Sequence, residues 1–96
     1  MATTTERIKA RHPARAAVAG LPNYFDYKGH AWDAVNTILA GYGWELDCFE
    51  MPGSEGRALA DIIATNSESP SEPVGQCCLA WYRMPSGRYE FTIYIS

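Results

Sequence analysis

The three cysteines are the most reactive side chains of the chain, and their spacing argues against most cysteine chemistry. Cys77 and Cys78 are adjacent, so in a strand their thiols point to opposite faces, and a disulfide between them would need strained geometry. No C-x-x-C pair occurs, which removes the usual sequence support for a zinc or thioredoxin-like site. Cys48 has acidic neighbours, whose negative charges oppose the thiolate that a nucleophile needs. We therefore expect small buried thiols and no catalytic cysteine.

Acidic and imidazole side chains provide a second kind of chemistry, metal binding or acid–base catalysis. Glu45 and Asp47 are two residues apart and share one strand face, but two carboxylates supply fewer oxygen ligands than a hard metal needs. His12 and His30 have no nearby residue in the sequence that would complete a catalytic pair. Motifs of phosphate-binding loops, dinucleotide sites, serine hydrolases and zinc proteases are missing. The sequence predicts no metal and no cofactor, and it favours binding over catalysis.

Charge divides the chain into two unequal parts. Residues 1–19, the N-terminal arm, carry four basic side chains and one acidic side chain, a net charge of +3. Residues 20–96 carry four basic and ten acidic side chains, a net charge of −6. An acidic body attracts basic surfaces, whereas a basic arm attracts phosphates. The simpler alternative is a soluble surface with a solvated tail.

The clearest helix signal runs from His30 to Tyr42. Its apolar residues recur at spacings of three and four, which places them on one helix face: Trp32, Val35, Ile38, Leu39 and Tyr42. Residues 21–29 have the composition of a loop. Pro13 interrupts any long helix in the arm, so we expect residues 1–19 either as a mobile tail or as a short helix.

Two segments further along the chain predict strands. Residues 44–51 alternate between apolar and acidic side chains, with a bulge expected near residues 48–49. Residues 57–65 fit a helix or a strand, and the matched length of their neighbours favours a strand. Residues 66–75 contain prolines, serines and glutamates, which predicts an exposed loop that is either mobile or a contact loop.

The C-terminal segments 76–84 and 88–96 predict a β-hairpin. Pro85-Ser86-Gly87 suits a three-residue turn with glycine in the left-handed region. This turn places Met84 opposite Arg88 and fixes the register of the two strands. The inner face then contains Trp81 and Phe91, and the outer face contains Tyr82, Tyr94, Cys78 and Glu90.

These elements predict one α+β domain over residues 20–96, preceded by a flexible N-terminal arm. One amphipathic helix packs on a four-stranded antiparallel sheet in the order α-β-β-β-β. The sequence contains no apolar run of transmembrane length and no signal-peptide pattern. With an odd number of cysteines, this predicts a cytoplasmic protein with reduced thiols and no membrane contact.

Acidic charge and outward tyrosines predict a small acidic protein-binding domain. Tyrosine is favoured in interfaces because it offers a rigid ring with a polar tip. We expect an inhibitor or adaptor that blocks a basic surface on a nucleic-acid-handling protein, of the anti-defence (anti-CRISPR-like) type that phages and mobile elements use. The expected partner-binding residues are five acidic side chains and two tyrosines: Glu45, Asp47, Glu50, Glu55, Glu90, Tyr82 and Tyr94.

Two other functions stay open. The basic arm could bind nucleic acid, with the domain serving as a dimerisation body. An aromatic pocket between helix and sheet could bind a small ligand or support an enzyme. Homodimerisation through an edge strand or through the outer sheet face could accompany either function.

Overall fold

A computed structural model describes residues 7–47, 50–65 and 73–96. They form an α+β fold in which two helices accompany one antiparallel sheet with the strand order β1-β5-β4-β3-β2. The elements are α1 (Pro13–Ala19), β1 (Tyr24–Phe25), α2 (Lys28–Ala40), β2 (Trp44–Leu46), β3 (Glu55–Ala64), β4 (Gly75–Arg83) and β5 (Tyr89–Ile95). The predicted class is confirmed, but the prediction of one helix and four strands is wrong: β1 was not foreseen, and α1 was expected only as one of two alternatives for residues 1–19.

The C-terminal hairpin has the predicted register. Trp81 pairs with Phe91 and Tyr82 pairs with Glu90. Gly87 has φ +93°, the left-handed conformation that glycine adopts without steric cost. The N–H of Met84 donates to the carbonyl of Arg88 over 2.8 Å and closes the turn. Turn chemistry and hydrophobic alternation specify the same pairing, which is why the sequence predicted it correctly.

The strand predicted over residues 57–65 is confirmed as β3, and it begins two residues earlier, at Glu55. It pairs with β4 from Glu55 opposite Tyr82 to Ile62 opposite Gly75. Strand β2 ends at Leu46, well before the predicted end at residue 51. The bulge expected at residues 48–49 and most of the loop predicted over 66–75 lie outside the described residues.

Helix α2 begins at Lys28 and ends at Ala40, two residues before the predicted bounds at each end. Its fully buried residues are Ala31, Val35 and Leu39. Spacings of four place these three on one line along the helix. The predicted buried face included larger side chains that are only partly buried. Trp32 and Ile38 are half-buried, and Tyr42 is 40% exposed.

The basic segment expected as a flexible arm packs onto the sheet from Ile8 onwards. The N–H of Ile8 donates to the carbonyl of Val74 over 2.7 Å, and the Ile8 side chain is 6% exposed. Helix α1 buries Ala14 and Val18 against the core. Within the described residues, this part of the chain therefore belongs to the domain and contributes to its core.

Pro13 is the reason that a mobile tail and a short helix both stayed open as predictions for this segment. It occupies the first position of α1, where a backbone N–H would have no acceptor within the helix and where the fixed φ of proline suits the helix. The His12 side chain accepts a hydrogen bond from the N–H of Ala14 over 3.0 Å and caps the helix. A helix of seven residues carries little periodicity, so the sequence could not decide between the short helix and the mobile tail.

Strand β1 was missed because two residues cannot display an alternating pattern. Tyr24 pairs with Glu90 and Phe25 pairs with Tyr89, so the segment expected as a loop forms one edge of the sheet. Phe25 packs edge-to-face on Phe91, with the ring centroids 5.6 Å apart. The loop prediction for residues 21–29 is correct only for residues 21–23 and 26–27, because α2 begins at Lys28.

Both helices pack on the same face of the sheet. Their buried residues share one apolar cluster with the inward residues of β3, β4 and β5. No helix among the described residues is both long and apolar enough to cross a bilayer. The two helices leave the opposite face, the outer face, without a helical layer.

Candidate binding surface

The outer face is defined by the alternation of side chains along the paired strands. Its members are Tyr24 of β1, Glu45 of β2, the odd residues Glu55 to Ile63 of β3, the even residues Gln76 to Tyr82 of β4, and Glu90, Thr92 and Tyr94 of β5. Six large apolar or aromatic side chains are exposed among the described residues, and four of them are on this face: Tyr24, Leu59, Tyr82 and Tyr94. An antiparallel sheet with one solvated face usually presents polar side chains there, so this concentration marks a candidate contact surface.

Strand pairing arranges the face in rows that run across the strands. The first row contains Glu55, Tyr82, Glu90 and Tyr24; the second contains Arg57, Ala80 and Thr92; the third contains Leu59, Cys78 and Tyr94. The second row is small at its centre, whereas the rows on both sides carry tyrosines. This difference in size produces a depression of about 180 Å³ that is bounded by Ala80, Tyr82, Glu90 and Thr92.

Carboxylates outnumber cations on the outer face. Glu45, Glu55, Asp61 and Glu90 are on it, and Arg57 is its single cation among the described residues. Glu45, Glu55 and Glu90 are exposed and form no ion pair with another described residue. The face is therefore negative as well as aromatic, and exposed carboxylates of this kind attract cationic groups.

The structure brings together some of the predicted site residues. Glu55, Tyr82 and Glu90 share one row, and Tyr94 is on the same face two rows away. Glu45 is on the same face in the edge strand β2, opposite Ile63. These five belong to one surface.

Asp47 and Glu50, two of the expected binding residues, lie outside the strands, whereas Leu59 and Tyr24 are on the outer face without having been expected there. Asp47 follows β2 and donates its N–H to the carbonyl of Asp61 over 2.8 Å, while Glu50 is exposed and outside any strand. Leu59 and Tyr24 were not expected on the surface. The alternation of β3 contained the signal for Leu59, since Ala60 and Ile62 are buried; nothing in the sequence marked Tyr24.

The two described thiols differ in position but are both buried. Cys77 is on the inner face, and burial together with the adjacent Cys78 thiol raises the pKa of Cys77 to about 12. Cys78 is on the outer face between Leu59 and Tyr94, which leave it 3% exposed. A hydrogen bond with the Cys78 thiol raises the pKa of the Tyr94 phenol. The raised pKa keeps the Cys77 thiol protonated near neutral pH, and a protonated, buried thiol is a poor nucleophile.

The described residues contain no group of three or more histidine, cysteine or acidic side chains that could hold a metal ion. Comparison of the chain with protein-family models, with curated proteins and with solved structures found no match. The function of the chain is therefore inferred from its own geometry and charge.

Proposed function

We propose that this chain is a small protein-binding domain, an inhibitor or adaptor that covers a basic surface of a nucleic-acid-handling protein with the outer face of its sheet. The observation that carries the proposal is the uncovered sheet face itself, where exposed tyrosines alternate with carboxylates. Tyrosine provides rigid contact area at low conformational cost, and carboxylates select a cationic partner.

The depression beside Tyr82 supports a specific mode of contact. Its floor is Ala80, one wall is the Tyr82 side chain, and the Glu90 carboxylate stands opposite Tyr82. A guanidinium or ammonium group in this position would meet the aromatic ring and a carboxylate together. An arginine of the partner suits it better than a lysine, because the planar guanidinium both stacks on rings and pairs with carboxylates.

Charge also favours a foreign partner over a second copy of this chain. Two outer faces placed together would oppose Glu55 and Glu90 with equally acidic rows, and like charges across an interface are unfavourable. A basic surface neutralises the same carboxylates. Small acidic inhibitors of host defence proteins, encoded by phages and mobile elements, are a class whose task would use these properties.

Affinity capture with matched variants tests the proposal. The intact chain retains a partner from a host lysate, and a Tyr82→Ala/Glu90→Arg variant is expected to lose it. Tyr27→Ala is the control, because Tyr27 is 67% exposed but is not on the outer face. A partner that both variants retain equally would refute the assignment of the outer face. Retention that weakens steeply with added salt would support the electrostatic part.

A further inference from the structure

A second cluster of binding chemistry lies away from the outer face, where the N-terminal segment crosses the start of β2. A cavity of about 480 Å³ opens there. Its lining combines two cationic side chains, an imidazole and an indole with an apolar floor: Arg7, Lys9, His12, Trp44, Ile8 and Val74. None of the described residues that line it is acidic, although the chain as a whole has a net charge of −3.

Three rings form a continuous aromatic group at this cavity. Tyr42 and Trp44 are stacked with centroids 5.4 Å apart, and the His12 ring contacts them at 4.9 and 5.1 Å. Tyr42 is 40% exposed and Trp44 is half-buried, so the group is open to solvent on one side. Rings held in this way offer a flat ligand a surface on which to stack.

A hydrogen bond to Nδ1 determines which ring nitrogen of His12 carries the proton in the neutral imidazole. The Nδ1 atom of His12 accepts from the N–H of Ala14 over 3.0 Å, so in the neutral ring the proton is on Nε2. Nε2 is therefore a donor, suited to an oxygen or ring-nitrogen acceptor. Arg7 donates one hydrogen bond to the carbonyl of Pro73, and its guanidinium has further donors on an exposed side chain.

Arg15 belongs to the same basic segment but has a different task. Its guanidinium donates to the carbonyls of Ile8, Lys9 and Ile95 at 2.8–2.9 Å. It thereby holds the backbone that carries the two lining cations against the end of β5. The cations at positions 7 and 9 thus project from a segment that is fixed to the sheet.

From this combination we infer that the cavity is a nucleotide site, in which the base stacks on the Trp44 ring and the phosphate meets Arg7 and Lys9. The ligand is either a free nucleotide or one unit of a single strand, since both present a flat base next to a phosphate. The volume is in the range of small-ligand sites. This inference does not depend on the outer face.

Titration of the intact, isotopically labelled chain by NMR tests the inference. Adenosine and uridine 5′-monophosphates and an eight-residue single-stranded oligonucleotide are the probes. Resonances of His12, Tyr42 and Trp44 are expected to shift, while those of Tyr82 and Tyr94 stay in place. An Arg7→Glu/Lys9→Glu variant should weaken binding at least about tenfold, whereas Arg83→Glu/Arg88→Glu, with the same change in charge at exposed positions away from the cavity, should leave it unchanged.

The remaining outcomes distinguish a free nucleotide from a single strand as the ligand, and they include the results that would contradict the inference. Binding of the oligonucleotide alone assigns the site to single strands, and equal binding of the monophosphates assigns it to free nucleotides. If the variant does not fold, the salt dependence of binding by the native chain decides. One neutralised phosphate on a single strand is expected to reduce log affinity by about 0.7 per tenfold increase in salt, and an affinity that does not change with salt would contradict the phosphate contact. Inorganic phosphate producing the same shifts with the same affinity, or no shift at His12 and Trp44 with any probe, would overturn the inference.

Discussion

Gly56 and Trp81 face each other across β3 and β4, so closely that a methyl group on Gly56 would lie 2.7 Å from Cζ2 of the indole. Trp81 is 4% exposed, its Nε1 has no hydrogen-bond partner among the described residues, and the Lys28 ammonium lies 6.0 Å from the centroid of its ring. We expect Gly56→Ala to reduce the free energy of unfolding by about 1–3 kcal/mol, because the ring or the strand must shift. Urea denaturation measures this change.

Gly29→Ala is the matched control for that experiment. Gly29 lies in the first turn of α2, and a methyl group there would have no atom within 4 Å. Alanine in a helix should stabilise the domain by up to about 1 kcal/mol. If both variants change stability in the same direction and by the same amount, the contact between Gly56 and Trp81 does not have the role assigned to it.

Arg15→Met should destabilise the domain by about 2 kcal/mol. The substitution keeps an apolar stem but removes all three hydrogen bonds to backbone carbonyls, and bonds from a charged donor are the stronger kind. Arg11→Met, at an exposed position of the same segment, should change stability by less than about 0.5 kcal/mol. The free energies of unfolding of both variants are measured by thermal and urea denaturation. An equal loss of stability in the two variants would mean that Arg15 does not anchor the segment.

The raised pKa of Cys77 predicts that the domain loses stability at alkaline pH. Burial raises its pKa from 9.0 to about 12, so the folded chain holds the proton more tightly than the unfolded chain does. The stabilisation is complete below pH 9 and is lost as the pH rises towards 12, with a slope of up to about 1.4 kcal/mol per pH unit. The Tyr94 phenol, whose pKa is also raised, acts in the same direction.

Urea unfolding between pH 8 and pH 10.5 isolates the contribution of the thiol. Cys77→Ala should have a shallower dependence on pH than the native chain, whatever its absolute stability. Parallel curves for the two proteins would show that Cys77 does not titrate differently in the folded and unfolded states.

Substitutions on the outer face should separate stability from binding. Tyr82→Ala removes a side chain that is 50% exposed, so it should change the free energy of unfolding by about 1 kcal/mol or less; Tyr94→Ala also removes the hydrogen bond with Cys78 and should cost more. Each should nevertheless weaken partner binding by 1 kcal/mol or more, about fivefold, if it is an anchor of the interface. Titration calorimetry with the captured partner measures the free energy of binding. A large loss of folding stability would indicate that the tyrosine has a structural role instead.

The sequence predicted the elements in which two independent signals agree. In the hairpin of β4 and β5, the turn around Gly87 and the alternation of Trp81 and Tyr82 specify one register, and the structure has it. Strand β3 was ambiguous by periodicity and was decided correctly by its neighbours. The outward positions of Tyr82, Tyr94 and Glu90 follow directly from that register.

Elements that depend on long-range contacts were not predictable. Helix α1 is stabilised by Arg15 bonds to the other end of the chain and by burial of Val18, neither of which leaves a local pattern. Strand β1 exists because β5 offers it an edge. The grouping of His12 with Trp44 likewise requires the fold, since 31 residues separate them and no sequence period relates them.

Hydroxyl-radical footprinting of the chain, free and in complex with its captured partner, tests the central claim most directly. Tyrosines are reactive probes on both sides of the molecule, and the predicted result is protection of Tyr24, Tyr82 and Tyr94 with unchanged labelling of Tyr27. Protection of Tyr27 with continued labelling of Tyr82 and Tyr94 would place the partner elsewhere and contradict the assignment of the outer sheet face as the binding surface.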